Sequence, residues 1–130
     1  MTRSARSAKV FLGKYFSGAI GTNDVGNALV LRRKDNEENV LILVDKGEVA
    51  QLNTLLTYGL TYFLVGWDLT GVQGYWTENL HMVVRDASLY FGRRTGNIDC
   101  TTISYLLEVP NSEAARELMH FLEEGQKHFI

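Results

Sequence analysis

The chain has little with which to staple itself. A single cysteine, Cys100, among 130 residues excludes an internal disulfide and any zinc centre built on cysteines. That usage suits a reducing compartment, so a cytoplasmic location is expected. Apolar runs stay well short of the roughly 18 residues a membrane span requires. Neither sign of charge dominates: 13 Lys/Arg stand against 15 Asp/Glu, a net charge of −2. Residues 1–110 carry eleven of each sign, and the deficit arises in 111–130, with two bases against four acids. A uniformly basic domain of the kind that clamps polyanions without discrimination is excluded, whereas a local basic patch is not. Proline occurs once, at Pro110.

Catalytic patterns are equally scarce. His81, His120 and His128 lack metal-ligand spacing, and Cys100 has no histidine assigned to it by position. Gly21-Thr-Asn-Asp-Val-Gly26 lacks the lysine of a phosphate loop and lies between two extended runs. Asp68, Glu78 and Asp86 could form an acidic site, and a scatter of solvated carboxylates explains them as well. The expectation is a non-enzymatic protein with no cofactor and no metal.

What is present is a strand-rich pattern in one domain, 1–130, with 45% apolar and 22% charged residues. Residues 1–8 are basic and serine-rich and read as a flexible arm. Val10–Gly18 reads as one strand bent at its glycines, paired through a Gly/Asn/Asp loop with Asn27–Arg33. Asn39–Val44 is apolar on both faces and reads as a covered strand. Val49, Leu52 and Leu56 form one helical stripe, which places a short helix over 45–59 with Gly59 as its C-cap. Thr61–Trp67 and Leu80–Arg85 read as strands four and five, joined by a loop around Gly71-Val-Gln-Gly74 with Tyr75 and Trp76 at its exit. The C-terminal extension, 93–130, holds an extended run over 101–109. After it comes a helix from Asn111 or Ser112 to about Gly125, with Ala115, Leu118, Met119 and Leu122 on one stripe. No internal repeat is evident.

Strand-strand-strand-helix-strand-strand over 9–92 resembles the OB-fold, a five-stranded, partly open barrel. More narrowly, Tyr62-Phe-Leu-Val-Gly-Trp67, Tyr75-Trp-Thr-Glu-Asn-Leu-His-Met-Val-Val84 and Ala87-Ser-Leu-Tyr-Phe91 resemble the last hairpin of bacterial single-stranded-DNA-binding proteins. The fold expected is therefore mainly β: a five-stranded OB-like barrel with a short helix between strands 3 and 4, then an appended strand and α-helix. A lipocalin-like or PH-like shell is the alternative.

The resemblance implies binding of single-stranded nucleic acid, DNA favoured, in an accessory role in replication, repair or mobile-element transfer. Aromatic platforms stack any base, and nearby cations neutralise phosphates. Candidate nucleic-acid-binding residues are Lys14, Tyr15, Arg32, Arg33, Lys34, Trp67, Tyr75, Trp76 and Arg85, with Arg93 and Arg94 as weaker members. Tyr75 and Trp76 are adjacent, so on a strand they point to opposite faces. Trp67 reads as readily as core. A homo-oligomer is expected, as is the absence of a membrane partner. The rival is a protein-interaction or inhibitor module using the same barrel and the C-terminal helix, whose Phe121 could anchor a partner.

Overall fold

The computed structural model describes residues 6–22, 26–66, 73–94 and 107–129. It replaces the barrel with two separate four-stranded antiparallel sheets, so the five-stranded OB-like architecture is incorrect. The first sheet has the order β1-β2-β3-β4, with β1 Arg6–Leu12, β2 Phe16–Thr22, β3 Asn27–Arg33 and β4 Val40–Leu43. Helix α1, Lys46–Val65, follows. The second sheet has the order β5-β6-β7-β8, with β5 Gln73–Trp76, β6 Leu80–Arg85, β7 Ser88–Arg93 and β8 Leu107–Val109. Helix α2, Ser112–Gln126, follows that sheet. The described residues thus form four strands and a helix, written twice.

Local chemistry explains each departure from expectation. The strand expected over Val10–Gly18 is two strands, because Gly13–Tyr15 turns the chain and the Gly13 N–H bonds the Phe16 carbonyl at 2.9 Å. Strand β1 starts at Arg6, inside the stretch read as a free arm. The α1 helix does not stop at Gly59. It begins at Asp45, whose carboxylate accepts the Glu48 N–H at 2.8 Å, and continues to Gly66. Gly66 adopts φ 72°, the left-handed cap that glycine tolerates best, and its N–H closes on the Tyr62 carbonyl. Thr61–Val65, expected as a strand, is therefore helix: intrinsic β preference is a weak prior against an established helix with a cap waiting. Strand β4 is an edge strand and leaves Ile42 and Val44 exposed, so it is not the covered strand expected.

The two units correspond residue by residue. Buried positions of α1 (Glu48, Val49, Leu52, Leu55, Leu56, Gly59) recur 66 residues later in α2 as Ala114, Ala115, Leu118, Phe121, Leu122 and Gly125. In the sheets, Leu29 faces Leu43 and Leu31 faces Leu41, as Leu89 faces Val109 and Phe91 faces Leu107. The expectation of no internal repeat is thereby corrected; the duplication lies in spacing and burial more than in residue identity.

Each helix packs on the other unit's sheet. In α2, Phe121 stacks on Phe11 of β1 at 5.4 Å, and Gly125 lies against Leu29 of β3. In α1, Gly59 lies against Leu89 of β7, where an added Cβ would stand 2.2 Å from the leucine methyl. Both sheets and both helices contribute to one continuous apolar core. Arginines close the seam between units. Arg33 Nη1 donates to the Glu108 carbonyl of β8 at 3.3 Å, and Arg93 Nη1 donates to the Ile42 carbonyl of β4 at 3.1 Å. Both acceptors lie on edge strands, whose open backbone groups would otherwise invite pairing.

Candidate functional site

Most of the basic candidates are engaged in holding the fold together. Lys14 and Tyr15 sit in the β1–β2 turn beneath the start of α2. Lys14 Nζ lies 3.4 Å from Glu113, whose charge raises the lysine pKa, and the Tyr15 hydroxyl donates to the same carboxylate at 3.2 Å. The Lys34 ammonium donates to the Gly13 carbonyl at 2.9 Å. Arg33, with a side chain only 11% exposed, forks onto Asp35 at 3.0 and 2.6 Å. That hydrogen bonding raises the arginine pKa further and lowers that of Asp35. Arg32 donates to the Glu37 carbonyl, and Arg85 pairs with Asp86 at 3.4 Å in the open. Arg93 grips the buried Glu48 with two bonds of 2.6 Å, which holds that carboxyl below its ordinary pKa. Lys14 and Tyr15 converge upon Glu113, Arg33 upon Asp35 and Glu108, and Lys34 upon the Gly13 carbonyl. Trp67 lies outside the described residues.

The aromatic candidates are different. Strand β5 is the outer edge of the second sheet, and its register sets Tyr75 opposite Met82 and Trp76 opposite His81. Tyr75 is half-buried toward α1, whereas Trp76 remains 58% exposed. Across from β5, α1 presents Tyr58, also exposed, with its ring 5.9 Å from that of Tyr75 and tilted by 31°. Arg94 completes the group: its guanidinium lies 6.0 Å from the Trp76 ring centre, and Nη1 donates to the Thr77 carbonyl at 3.2 Å. Thr54, Leu55, Gly74 and Thr77 join the three aromatics to line a cleft of about 320 Å³.

The cleft has a firm frame. Gln51 of α1 accepts both the Thr77 hydroxyl at 2.7 Å and the Asn79 N–H at 2.8 Å, which pins the β5–β6 turn to the helix. The Arg94 N–H bonds the Asn79 carbonyl at 2.8 Å. The Tyr58–Tyr75 pair and the Trp76–Arg94 pair are thereby held at neighbouring positions along β5, with the indole open to solvent. The exposed indole can stack on a planar ring, and the guanidinium beside it can hold an adjacent anion. Among the described residues that line the cleft there is no Cys, His, Lys, Asp or Glu. Among the described residues, no three His, Cys, Asp or Glu side chains gather as a metal site.

Sequence reasoning missed Tyr58. Its signal was its position off the Val49–Leu52–Leu56 stripe, which makes it an aromatic on a solvent-facing arc of the helix. His81, on the outer side of the second sheet, is buried, and neither ring nitrogen has a hydrogen-bond partner. Burial is the larger influence and lowers its pKa.

The other exposed feature is the outer side of the first sheet. Val10, Ala19, Val30 and Ile42 form one row across all four strands, with Leu12 and Val44 beside it. Leu12 is 77% exposed. Among the described residues, no helix is long and apolar enough to cross a membrane. No protein-family model matches this chain, and no curated protein matches it either.

Proposed function

We propose that the chain binds single-stranded nucleic acid, DNA favoured, by stacking bases on the Tyr58–Tyr75–Trp76 cluster, with Arg94 against the phosphodiester. The observation that carries this reading is the exposed Trp76 indole with a guanidinium beside it, on an edge strand that a linear polymer can follow. Stacking is indifferent to base identity because every base has a π face. Among the described residues, the Arg94 guanidinium bonds only the Thr77 carbonyl, through Nη1, which leaves donors for a phosphate. The other basic candidates, Lys14, Arg32, Arg33, Lys34, Arg85 and Arg93, bond carboxylates or carbonyls, so stacking outweighs electrostatics in this reading.

The direct test is titration into fluorescently labelled single-stranded oligonucleotide, following anisotropy and tryptophan quenching together. Binding should quench tryptophan emission, and Trp76→Ala should weaken it about 5- to 150-fold, the equivalent of about 1–3 kcal/mol for one stacked base. Absence of binding at low salt with micromolar protein refutes the reading.

A second reading, protein interaction without nucleic acid, is favoured by the exposed apolar row on the first sheet. An apolar patch rimmed by polar residues is a common protein-docking surface. Under that reading Leu12→Glu or Ile42→Glu abolishes partner capture, whereas Trp76→Ala has no effect.

A further inference from the structure

A second groove, of about 640 Å³, lies between α1 and α2. Small-molecule sites occupy roughly 300–1,000 Å³, so its size suits a small ligand. Its floor is apolar: Val49 and Leu122 are buried beneath it, and Leu60 and Met119 are half-buried and packed on the core. The two walls differ in charge. Ala50, Asn53 and Thr54 of α1 contribute none, whereas α2 contributes Arg116, His120 and Glu123, all exposed.

The duplicated fold does not require the basic side chains. At the 66-residue spacing that relates the helices, Arg116 stands where α1 has Ala50, and His120 where it has Thr54. Helix α1 forms with small uncharged side chains at both positions. The neighbouring acids of α2 are engaged elsewhere: Glu113 with Lys14 and Tyr15, Glu117 with the amides of the β1–β2 turn, Glu124 with Lys127. Among the described residues, the Arg116 guanidinium therefore has no hydrogen-bond or ion-pair partner. It lines a groove with an apolar floor, one helical turn from His120 on the same face.

We infer that this groove binds an apolar monocarboxylate, its carboxylate on Arg116 with His120 and the Asn53 amide alongside, its hydrocarbon on the floor. A guanidinium presents a planar fork that matches a carboxylate with two parallel bonds. An apolar floor adds affinity for hydrocarbon and none for a bare anion. Glu123 limits the charge of the ligand. It lies on the Arg116 wall, seven residues or about 10 Å farther along the axis. One negative charge at the Arg116 end is balanced, whereas the second charge of a phosphate monoester is repelled. The floor covers one alkyl chain or ring, far short of the roughly 800 Å² per partner of a stable protein interface.

The test is isothermal titration calorimetry of the full chain with hexanoate, octanoate and decanoate, with octanol and octyl phosphate as controls. Affinity should rise about 3- to 10-fold with each two-carbon step, somewhat less than full burial of two methylenes gives, because the groove is open. Octanol and octyl phosphate should each bind at least fivefold more weakly than octanoate. Arg116→Gln should weaken octanoate at least tenfold, the loss of a charge-assisted pair. Ala50→Trp fills the groove from the uncharged wall and should weaken octanoate and decanoate alike. Both sites are exposed, so the fold is kept, as circular dichroism checks. Trp76→Ala should leave octanoate binding unchanged, so this inference and the nucleic-acid reading fail separately. Absence of decanoate binding up to about 1 mM, carboxylate binding that Arg116→Gln does not weaken, or tighter binding of octyl phosphate overturns it.

Discussion

Gln51 and Glu117 occupy the same position in their two helices and clamp the same turn in opposite halves of the molecule. Gln51 of α1 holds the β5–β6 turn, and Glu117 of α2 holds the β1–β2 turn, where it accepts the N–H groups of Lys14, Tyr15 and Phe16. The clamp is close: an added Cβ on Gly13 would stand 2.3 Å from the Glu117 carboxyl carbon. Each helix therefore sets the geometry of a hairpin in the sheet it covers: α1 holds the hairpin that follows it, and α2 the one at the opposite end of the chain.

Glu117→Ala should lower stability by about 2 kcal/mol, since three backbone amides lose an ionised acceptor and water restores only part of the loss. Gln51→Ala should lower it by about 1 kcal/mol and also loosen the aromatic cleft. Urea titrations of the two variants check the order.

Gly59→Ala and Gly125→Ala should differ although the positions correspond. Alanine improves an exposed helix by about 1 kcal/mol relative to glycine. At Gly59 the new methyl meets Leu89 at 2.2 Å inside the core, and overpacking of that kind costs about 1–3 kcal/mol. At Gly125 the nearest atom, on Leu29, is 3.1 Å away, so the two effects nearly cancel. Thermal melts should place Gly59→Ala below wild type and Gly125→Ala close to it.

Ala87→Gly should stabilise the protein. Asp86 and Ala87 link β6 to β7 with φ of 51° and 64°, the two-residue turn that matches the twist of the paired strands. A Cβ in that region costs about 1 kcal/mol, which glycine removes. A gain of up to about 1 kcal/mol in urea unfolding checks this, the greater backbone freedom of unfolded glycine offsetting part of it.

Stability should fall as pH drops below neutrality. His81 is buried with its pKa lowered, so the folded state resists a proton that the unfolded chain accepts near pH 6.5. Its contribution is complete above that value, shrinks as pH falls through it, and is gone at the lower folded pKa. Glu48 behaves alike in a more acid window: its lowered pKa contributes above the ordinary carboxylate value and is lost beneath it. Melting temperatures between about pH 7.5 and 5.5 should decline for wild type and flatten for His81→Leu.

Nucleic-acid affinity should depend only weakly on salt. With Lys14, Arg33, Arg85 and Arg93 already paired to carboxylates, few phosphates are neutralised on binding. A plot of log affinity against log salt should have a slope of about −1 to −2, using roughly −0.7 per phosphate contact on a single strand. Arg94→Ala should bring it closer to zero, measured by anisotropy at four or more salt concentrations.

The sequence made some of this legible and hid the rest for physical reasons. The β3, β6 and α2 segments stand out because each alternates or repeats with a single period, and Asn111 is a recognisable cap. From sequence, helix α1 looks shorter than it is because Gly59 resembles a terminator. Only the packed structure reveals that it is small to admit Leu89. Beyond Gly59, Thr61–Val65 has the composition of a strand, and helical continuity overrides it. The barrel expectation fell with that segment, since moving it from strand to helix dissolves strand four. The duplication was hidden because matched positions hold different residues, such as Leu55 with Phe121 and Gln51 with Glu117. In the site, Trp76 and Tyr75 were visible as adjacent aromatics on an extended run. Their partner Tyr58 was not, since its closeness to Tyr75 is a tertiary relation.

Because α1 covers the second sheet and α2 the first, neither half owns a complete interior. The molecule is in effect a heterodimer whose two members share one backbone, and the linkage between them supplies effective concentration in place of affinity. Severed between 66 and 73, the fragments 1–66 and 73–130 should each be unfolded alone and should fold on mixing, each lending its helix to the other.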